Sequence, residues 1–409
     1  MPSAAPSTVV IPSSSHGNAS DIGLRAHTNV RFIVPPTASP SEAPPYLGYG
    51  YETPASLACI YRLVRPIPGC NPNATTNTPN GGSQTIAIVD AYDDPNAASD
   101  LAYFSAQFGL PNPGSKFHVV YAKGAQPAQD PSGGWELEES LDIEYAHAMA
   151  PNATIYLVEA NSDYDSDLYP AVLVASNLVN CGKTTACPAG SKGRGEVSMS
   201  WGGGEFPQES ELDSFFTAPG VVYFAAAGDS PGVIYPCASP NVVCAGGTTN
   251  ARSLQTGNLI AQIAWSDAGG GVSFYEPIPS YQASDRRIVN LVGTNRGVPD
   301  ISADSNPNTG VWIYDTFPYP GLDPGWIIVG GTSVATPTLA GVVNATGQFA
   351  KSSAEELTSL YSHHGFGNWD SNLTDIVYGA CSPYSSAFSG PGWDLCTGLG
   401  TPNGFGQNW

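Results

Sequence analysis

Val329-Gly330-Gly331-Thr332-Ser333-Val334-Ala335-Thr336-Pro337 reads as the end of a strand, a glycine turn and the first turn of a helix. Ser333 then sits where unpaired backbone N–H groups and the positive end of the helix dipole favour a developing negative charge. Gly330 and Gly331 let the backbone turn sharply and let another chain approach closely. Pro337 falls near the first helical turn, where a missing N–H costs little. Two readings stay open on this stretch alone: a nucleophile, or a serine N-cap on a core helix that runs on through Leu339-Ala340-Gly341-Val342-Val343.

Upstream of that turn, short apolar runs alternate with helical patterns. Strands are expected at 85–89, 117–121, 154–158, 196–201 and 221–226, and helices at 53–64, 97–108, 135–149, 167–179 and 209–217. Continuous apolar strands between helices predict an α/β fold: a doubly wound, mostly parallel sheet flanked by helices, in a single large domain. Ligands bind such sheets at the carboxyl ends of the strands. That rule puts Asp90, residues 200–203, Asp229 and the Ser333 turn on one edge. Residues 1–45 are rich in Ser, Pro and Ala and carry no period, so they read as an N-terminal tail or linker, a propeptide remnant or an addition made for expression. The domain proper is expected over 46–409.

Charge narrows the function. There are 35 acidic residues against 14 basic ones, yet only 12% of residues are charged. This balance suits an acidic medium, where at about pH 4 many carboxylates hold their protons; solubility of an extracellular protein is the plainer explanation. A net charge of −21 repels phosphates, which excludes nucleic acid as a partner. The eight cysteines form sequence-local couples, Cys59 with Cys70, Cys181 with Cys187, Cys237 with Cys244 and Cys381 with Cys396, and read as disulfides of an oxidising compartment, although sequence alone leaves the connectivity open. No apolar run reaches membrane-spanning length, and no signal-peptide pattern follows Met1, so a mature form of a secreted protein, or a form made for expression, is expected.

A nucleophilic serine needs a proton acceptor, and the six histidines are poorly placed to supply it. His16 and His27 fall in the tail, His118 inside a strand, and His363 with His364 at the end of a late helix. His147 lies five residues past Asp142 on the helix, which turns it to another face. Carboxylates answer better. The helix over 135–147 puts Glu138 and Asp142 one turn apart on one face. Such a pair shares a proton and can accept the serine proton in acid. Glu136, Glu139 and Glu144 read as a solvated acidic face. Asp229, after an apolar strand, is either a turn residue or, if buried and protonated, a hydrogen-bond donor to an oxyanion.

Three motifs in this order, Glu138-Glu139-Ser140-Leu141-Asp142, Ala227-Gly228-Asp229-Ser230 and Gly331-Thr332-Ser333-Val334-Ala335-Thr336-Pro337, resemble the sedolisin family of serine-carboxyl peptidases. The similarity runs from about Tyr51 to the C-terminus. It implies a subtilisin-like fold with Ser333 as nucleophile, Glu138 as general base and acid, Asp142 as its proton-sharing partner and Asp229 as oxyanion stabiliser. Ser200-Trp201-Gly202 looks like the edge that pairs with an extended substrate strand. Asp90 and Trp201 would extend the carboxyl network, although the family commonly has a longer glutamate at the position of Asp90. The segment at about 373–400 resembles the family's calcium site, with Asp375 and Asp394 giving carboxylates and Ile376, Gly390 and Gly392 main-chain oxygens to one structural Ca2+; a glycine-rich turn closed by Cys381 and Cys396 is the alternative. The family is made with a long folded prodomain, which the residues before 46 are too short to supply. The resemblance thus implies a secreted, monomeric, acid-active endopeptidase. Its partners would be polypeptide substrates and its own removed prodomain, with no membrane or nucleic acid. A tripeptidyl-peptidase or a catalytically silent extracellular binding module are the alternatives.

Overall fold

Strands whose alternate side chains are all apolar must be buried on both faces. In the computed structural model, which describes residues 8–33, 44, 50–182, 192–362, 372–382 and 388–404, the strand β1 (Thr85–Ala91) sends Ile86 and Ile88 into one core and Ala87, Val89 and Ala91 into the other. The remaining strands of the sheet are β2 (Phe117–Tyr121), β3 (Thr154–Ala160), β4 (Gly195–Met199), then past the short β5 (Trp201–Gly204) of another sheet, β6 (Val221–Ala226), β7 (Val243–Arg252), β8 (Leu259–Ala264) and β9 (Ile301–Asp304). Their order is β8-β7-β6-β4-β1-β3-β2, with β9 also paired to β7. All of these pairings are parallel except that of β7 with β8. β1 lies between β3 and β4, so the winding reverses beside its carboxyl end, at Asp90 and Ser200.

Helices cover both faces. α1 (Ala97–Phe108), α2 (Gly134–Met149) and α4 (Thr332–Thr346) contribute Leu101, Leu141 and Leu339 to one core, while α3 (Asp165–Val179) contributes Leu168 and Val172 to the other. α2 and α4 pack against each other. β10 (Gly325–Gly330) leads into α4 across Gly331, whose φ of 108° is a backbone conformation that favours glycine.

Four expectations about these elements change. α2 is buried along its whole length, Glu136, Glu139 and Glu144 included, so the acidic face is not solvated. The reason is tertiary: α2 is enclosed by α1, α4 and the sheet, and a helical period does not reveal how many faces are covered. The strand expected over 196–201 breaks at Ser200 into β4 and β5, and the helix expected at 209–217 is a 3-10 helix, Glu209–Phe216. The helix expected at 53–64 is shorter, Pro54–Ile60, started by a capping box between Thr53 and Ser56.

The segment read as a tail or linker is structured over residues 8–33. His27–Thr28 pairs antiparallel with β5, and Arg31–Ile33 pairs antiparallel with β10 and with Val9–Val10. Strands of two or three residues carry no period, so only the open edges of β5 and β10 reveal them. Cys59–Cys70, Cys237–Cys244 and Cys381–Cys396 are disulfides as paired in the sequence. Cys181 is also disulfide-bonded, and Cys187, its expected partner, lies outside the described residues, as do His363 and His364. Among the described residues no helix is long and apolar enough to cross a membrane.

Candidate active site

Ends of elements converge at the switch point: Asp90 near the end of β1, Ser200 between β4 and β5, Asp229 just past β6 and Ser333 in the first turn of α4. Ser333 is buried, and its N–H donates to the carbonyl of Asn29 at 3.1 Å. A helix N-terminus leaves that N–H free of intrahelical partners, so it can meet a carbonyl oxygen. The Ser333 hydroxyl accepts from the Asn29 N–H at 3.2 Å and donates to the Ser200 carbonyl at 3.2 Å.

Packing of α2 on α4 brings Glu138 and Asp142 beneath this serine. Both are 0% exposed. Burial lifts each carboxyl well above its ordinary range, and the neighbouring Asp90 lifts each further. Ser333 and Asp142 adjoin Glu138 closely enough to influence its titration, yet neither Glu138 oxygen is held in a well-formed hydrogen bond. Such contacts commonly tighten only as charge develops. Asp142 Oδ1 accepts from the Ser200 hydroxyl at 2.8 Å. Asp90 is pushed up to about 8 by burial, and neither of its oxygens has a partner. Three buried acids at this spacing cannot all ionise, so the cluster holds protons at acid pH. The network extension is therefore half present: Asp90 joins the pair, but Trp201 Nε1 donates to the Val89 carbonyl at 2.7 Å instead of to an acid.

Asp229 faces the serine from the other side. Its Oδ1 accepts from the N–H of Thr332 at 2.7 Å and from the Thr332 hydroxyl at 3.0 Å, which caps the start of α4. Its Oδ2 is buried without a hydrogen bond. Burial raises this carboxyl to about 7 against the opposing pull of the Thr332 N–H and the Arg31 charge. A Cβ on Gly331 would lie 2.0 Å from the Asn29 carbonyl oxygen and 2.6 Å from Asp229 Oδ2, so only glycine leaves room for both. The expected substrate edge is paired in register, His27 with Gly202 and Thr28 with Trp201.

Among the described residues no histidine is hydrogen-bonded to Ser333 or to the acids beside it. His147 hydrogen-bonds the Pro111 carbonyl at 2.9 Å, and burial pushes it down to about 4. His118 stacks on Tyr156. His27 is not in a tail but in the strand on β5, with Nδ1 3.1 Å from the Thr28 carbonyl oxygen.

No family model matches the sequence. Kumamolisin from Bacillus sp. (strain MN-32) is 32% identical over 365 residues, covering 80% of this chain and 59% of that protein. Tripeptidyl-peptidase 1 of Canis lupus familiaris is 27% identical over 347 residues, covering 75% of this chain and 56% of that protein. Among solved structures, Pseudomonas sedolisin, a serine-carboxyl proteinase complexed with two molecules of pseudo-iodotyrostatin, aligns with a TM-score of 0.64 at 22% identity over 86% of this chain and 95% of that one. The chain belongs to the sedolisin family. It has the subtilisin-like fold, with a mostly parallel central sheet flanked by helices, and spans 59% and 56% of the length of the two curated relatives above.

The C-terminal loop is built around two acids. Gly392 N–H donates to Asp375 Oδ2 and Gly390 N–H to Asp394 Oδ2, each at 3.0 Å, so one glycine turn holds both carboxylates. Asp394 Oδ1 also accepts from the N–H groups of Cys396 and Thr397 at 2.8 and 2.9 Å, and burial lifts this carboxyl to about 6. Ile376 is buried beside them. Among the described residues no group of three or more His, Cys, Asp or Glu side chains could hold a metal ion. Two carboxylates with backbone carbonyls are a different donor set, and it suits a hard cation: Asp375 Oδ1 is a buried oxygen with no donor. The residues that sequence reasoning missed are Thr332, inside a quoted motif but given no role, and Asn29 and Arg31, in a stretch with no pattern to mark them.

Proposed function

We propose that this sedolisin-family chain is a secreted, acid-active serine-carboxyl endopeptidase, monomeric and acting on polypeptides. Ser333 attacks the peptide carbonyl and Glu138 accepts its proton. Asp142 and Asp90 share the proton load of the buried cluster. Protonated Asp229 donates from Oδ2 to the oxyanion, because Oδ1 is already engaged by Thr332. Glu138 returns the proton to the leaving amine, and water clears the acyl-enzyme by the same route. The observation that carries the reading is Ser333 N–H donating to a peptide carbonyl while its hydroxyl lies above buried acids. The paired edge at Ser200, Trp201 and Gly202 supports main-chain recognition of an extended substrate.

The proton requirements predict a bell-shaped pH dependence. Asp229 must be protonated, so activity falls as pH rises through about 7; Glu138 must ionise, so activity also falls at low pH. The acidic composition and the disulfides support an extracellular location. One calcium ion would be held by Asp375, Asp394 and the carbonyls of Ile376, Gly390 and Gly392, where it would fasten the loop and take no part in the chemistry. A removed prodomain would be a further partner.

Hydrolysis of an unfolded, N-blocked protein from about pH 2 to 8 by wild type and Ser333→Ala tests the proposal. An acidic bell that disappears in the variant is expected; near-normal turnover by Ser333→Ala would sink it. Cleavage confined to free-amine peptides would mark a tripeptidyl-peptidase, and inactivity at every pH would favour the silent binding module.

A further inference from the structure

Glu139 and Glu159 have no task in the mechanism above, although both are 0% exposed and neither has a hydrogen bond on either oxygen. Buried polar atoms without partners are rare, and two whole carboxyl groups in that state call for a reason. Their places follow from register. On β1, Asp90 continues the alternation of Ile86 and Ile88 and points to the face that α2 covers. On β3, Glu159 continues the alternation of Ile155 and Leu157 to the same face. The two strands are parallel, and Asp90 lies directly beside Glu159 in the ladder. α2 packs on both strands and carries Glu139 next to Glu138. Burial lifts the Glu139 carboxyl, and Glu159, Asp94, Asp90 and Glu136, the acids that face it, lift it further. Burial pushes Glu159 up to about 9, and the acid that acts most on it is Asp93. Tyr121 is the neighbour of Glu159 on β2. Asp93 in turn accepts from the side-chain Nε2 of Gln126 at 3.0 and 2.9 Å on its two oxygens, and Gln126 is exposed. The acids on either side of this row are held differently. Asp94 accepts from the N–H of Asn96 at 2.8 Å and the Ser140 hydroxyl at 3.4 Å, and Glu136 from the Asp130 N–H at 2.6 Å.

We propose that Asp93, Glu159, Glu139 and Asp90 form a proton path from solvent to the pair Glu138 and Asp142, open while the serine face of the site is covered. This rests on the peptidase reading and adds to it the route by which the buried pair is charged and emptied. Ser333, Glu138 and Asp142 are all buried, and an extended chain laid over Ser333, as residues 28–30 are, closes that side to water. The protons of the pair must then be exchanged from behind. An oxygen that accepts an N–H is stabilised without a proton, which suits Asp94 and Glu136 to an anchoring role. Asp90, Glu139 and Glu159 have both oxygens free, so each can take a proton on one and release a proton from the other. A hydronium ion gives its proton to Asp93. Asp93 passes one proton to Glu159, Glu159 one to Glu139, Glu139 one to Asp90, and Asp90 one to the pair. Each acid of the path ends with the protons it began with, so the solvent loses one and the pair gains one. The reverse order empties Glu138, which then acts as the base.

The test compares wild type, Glu139→Gln, Glu139→Asp, Glu159→Gln and Glu136→Gln on one N-blocked peptide at acid pH, in H2O and in D2O. Glutamine keeps the size and neutrality of a protonated glutamate but does not hand on a proton. In Glu139→Gln, kcat is expected to fall about tenfold with KM unchanged, and the ratio of the rates in H2O and D2O to rise, because proton delivery becomes the slow step. Glu139→Asp, which restores a carboxyl, recovers most of the lost kcat. Glu136→Gln, equally buried but outside the path, stays within about twofold of wild type. Glu159→Gln repeats the Glu139→Gln result from another strand and decides the matter if Glu139→Gln does not fold. A folded Glu139→Gln or Glu159→Gln with wild-type kcat and isotope ratio overturns the path while leaving the peptidase reading intact. An equal loss in Glu136→Gln also overturns it, since the effect would then come from packing. No cleavage of the peptide by wild type at any pH would take the peptidase reading and the path down together.

Discussion

Two groups of buried carboxylates in this protein are built in opposite ways. At the switch point, Asp90 and Glu138 have no hydrogen-bond donor on either oxygen, and Asp142 has only the Ser200 hydroxyl on one. In the C-terminal loop, Asp394 takes N–H groups from Gly390, Cys396 and Thr397. Burial lifts both groups, but Asp90 reaches about 8 while Asp394 stops at about 6, since donors stabilise the ionised form. Starved of donors, the first group keeps protons it can hand on. The second is an anchor, held nearer the ordinary carboxylate range by those donors and suited to tie backbone to a cation. The same residue types thus serve proton transfer or fastening according to the N–H groups the fold aims at them.

The sharpest way to break this contrast is Glu138→Gln, which keeps the shape and removes the proton acceptor. Turnover is expected to fall about 1,000-fold with the melting temperature kept or raised; a fall of less than about tenfold would show that another group is the base. Asp229→Asn stays neutral at every pH. Its rate should drop about 100-fold, and the pH–rate profile should lose the limb near 7 that Asp229 sets in the wild type.

Stability should reflect the buried acids whose titration burial raises. Asp90 and Glu136 are raised to about 8 and Glu159 to about 9, each chiefly by burial, so the folded protein holds protons that the unfolded chain releases. Their contribution is complete below the unfolded values near 4 and is lost as pH rises through about 8 to 9. Melting at pH 8 should come lower than at pH 5 by about 5 °C or more. A scan with the opposite slope would mean that these acids are paired in solution.

Asp394→Asn should have the smallest effect, about 1–3 kcal/mol of stability, because one oxygen's worth of N–H acceptance is lost. With calcium bound as proposed, a chelator lowers the wild-type melting temperature and leaves the variant little changed; an unchanged wild type would reduce the loop to a disulfide-closed turn.

The parallel sheet, the helices at 97–108 and 135–149 and the turn at Ser333 were legible because each is a local pattern. An apolar run, a helical period or a glycine pair before a serine reports its structure without help from distant residues. Glu138 and Asp142 could be paired from their spacing alone. The spacing was equally compatible with solvent, and Glu136, Glu139 and Glu144 were read as wet for that reason. Burial depends on what packs around α2, which no window of sequence contains.

Sequence by itself determined which groups can do chemistry here: a serine at a helix start, two acids one turn apart, an acid at a strand end, and cysteines spaced for local bridges. Only the tertiary structure decided which acids lack donors, that Asp90 joins them while Trp201 turns to the Val89 carbonyl, and that Asn29 lies on Ser333 from 304 positions away. A residue's type and its near neighbours travel with the chain. The desolvation that moves its proton, and the strand that fills its cleft, come from parts of the chain that meet only when it folds.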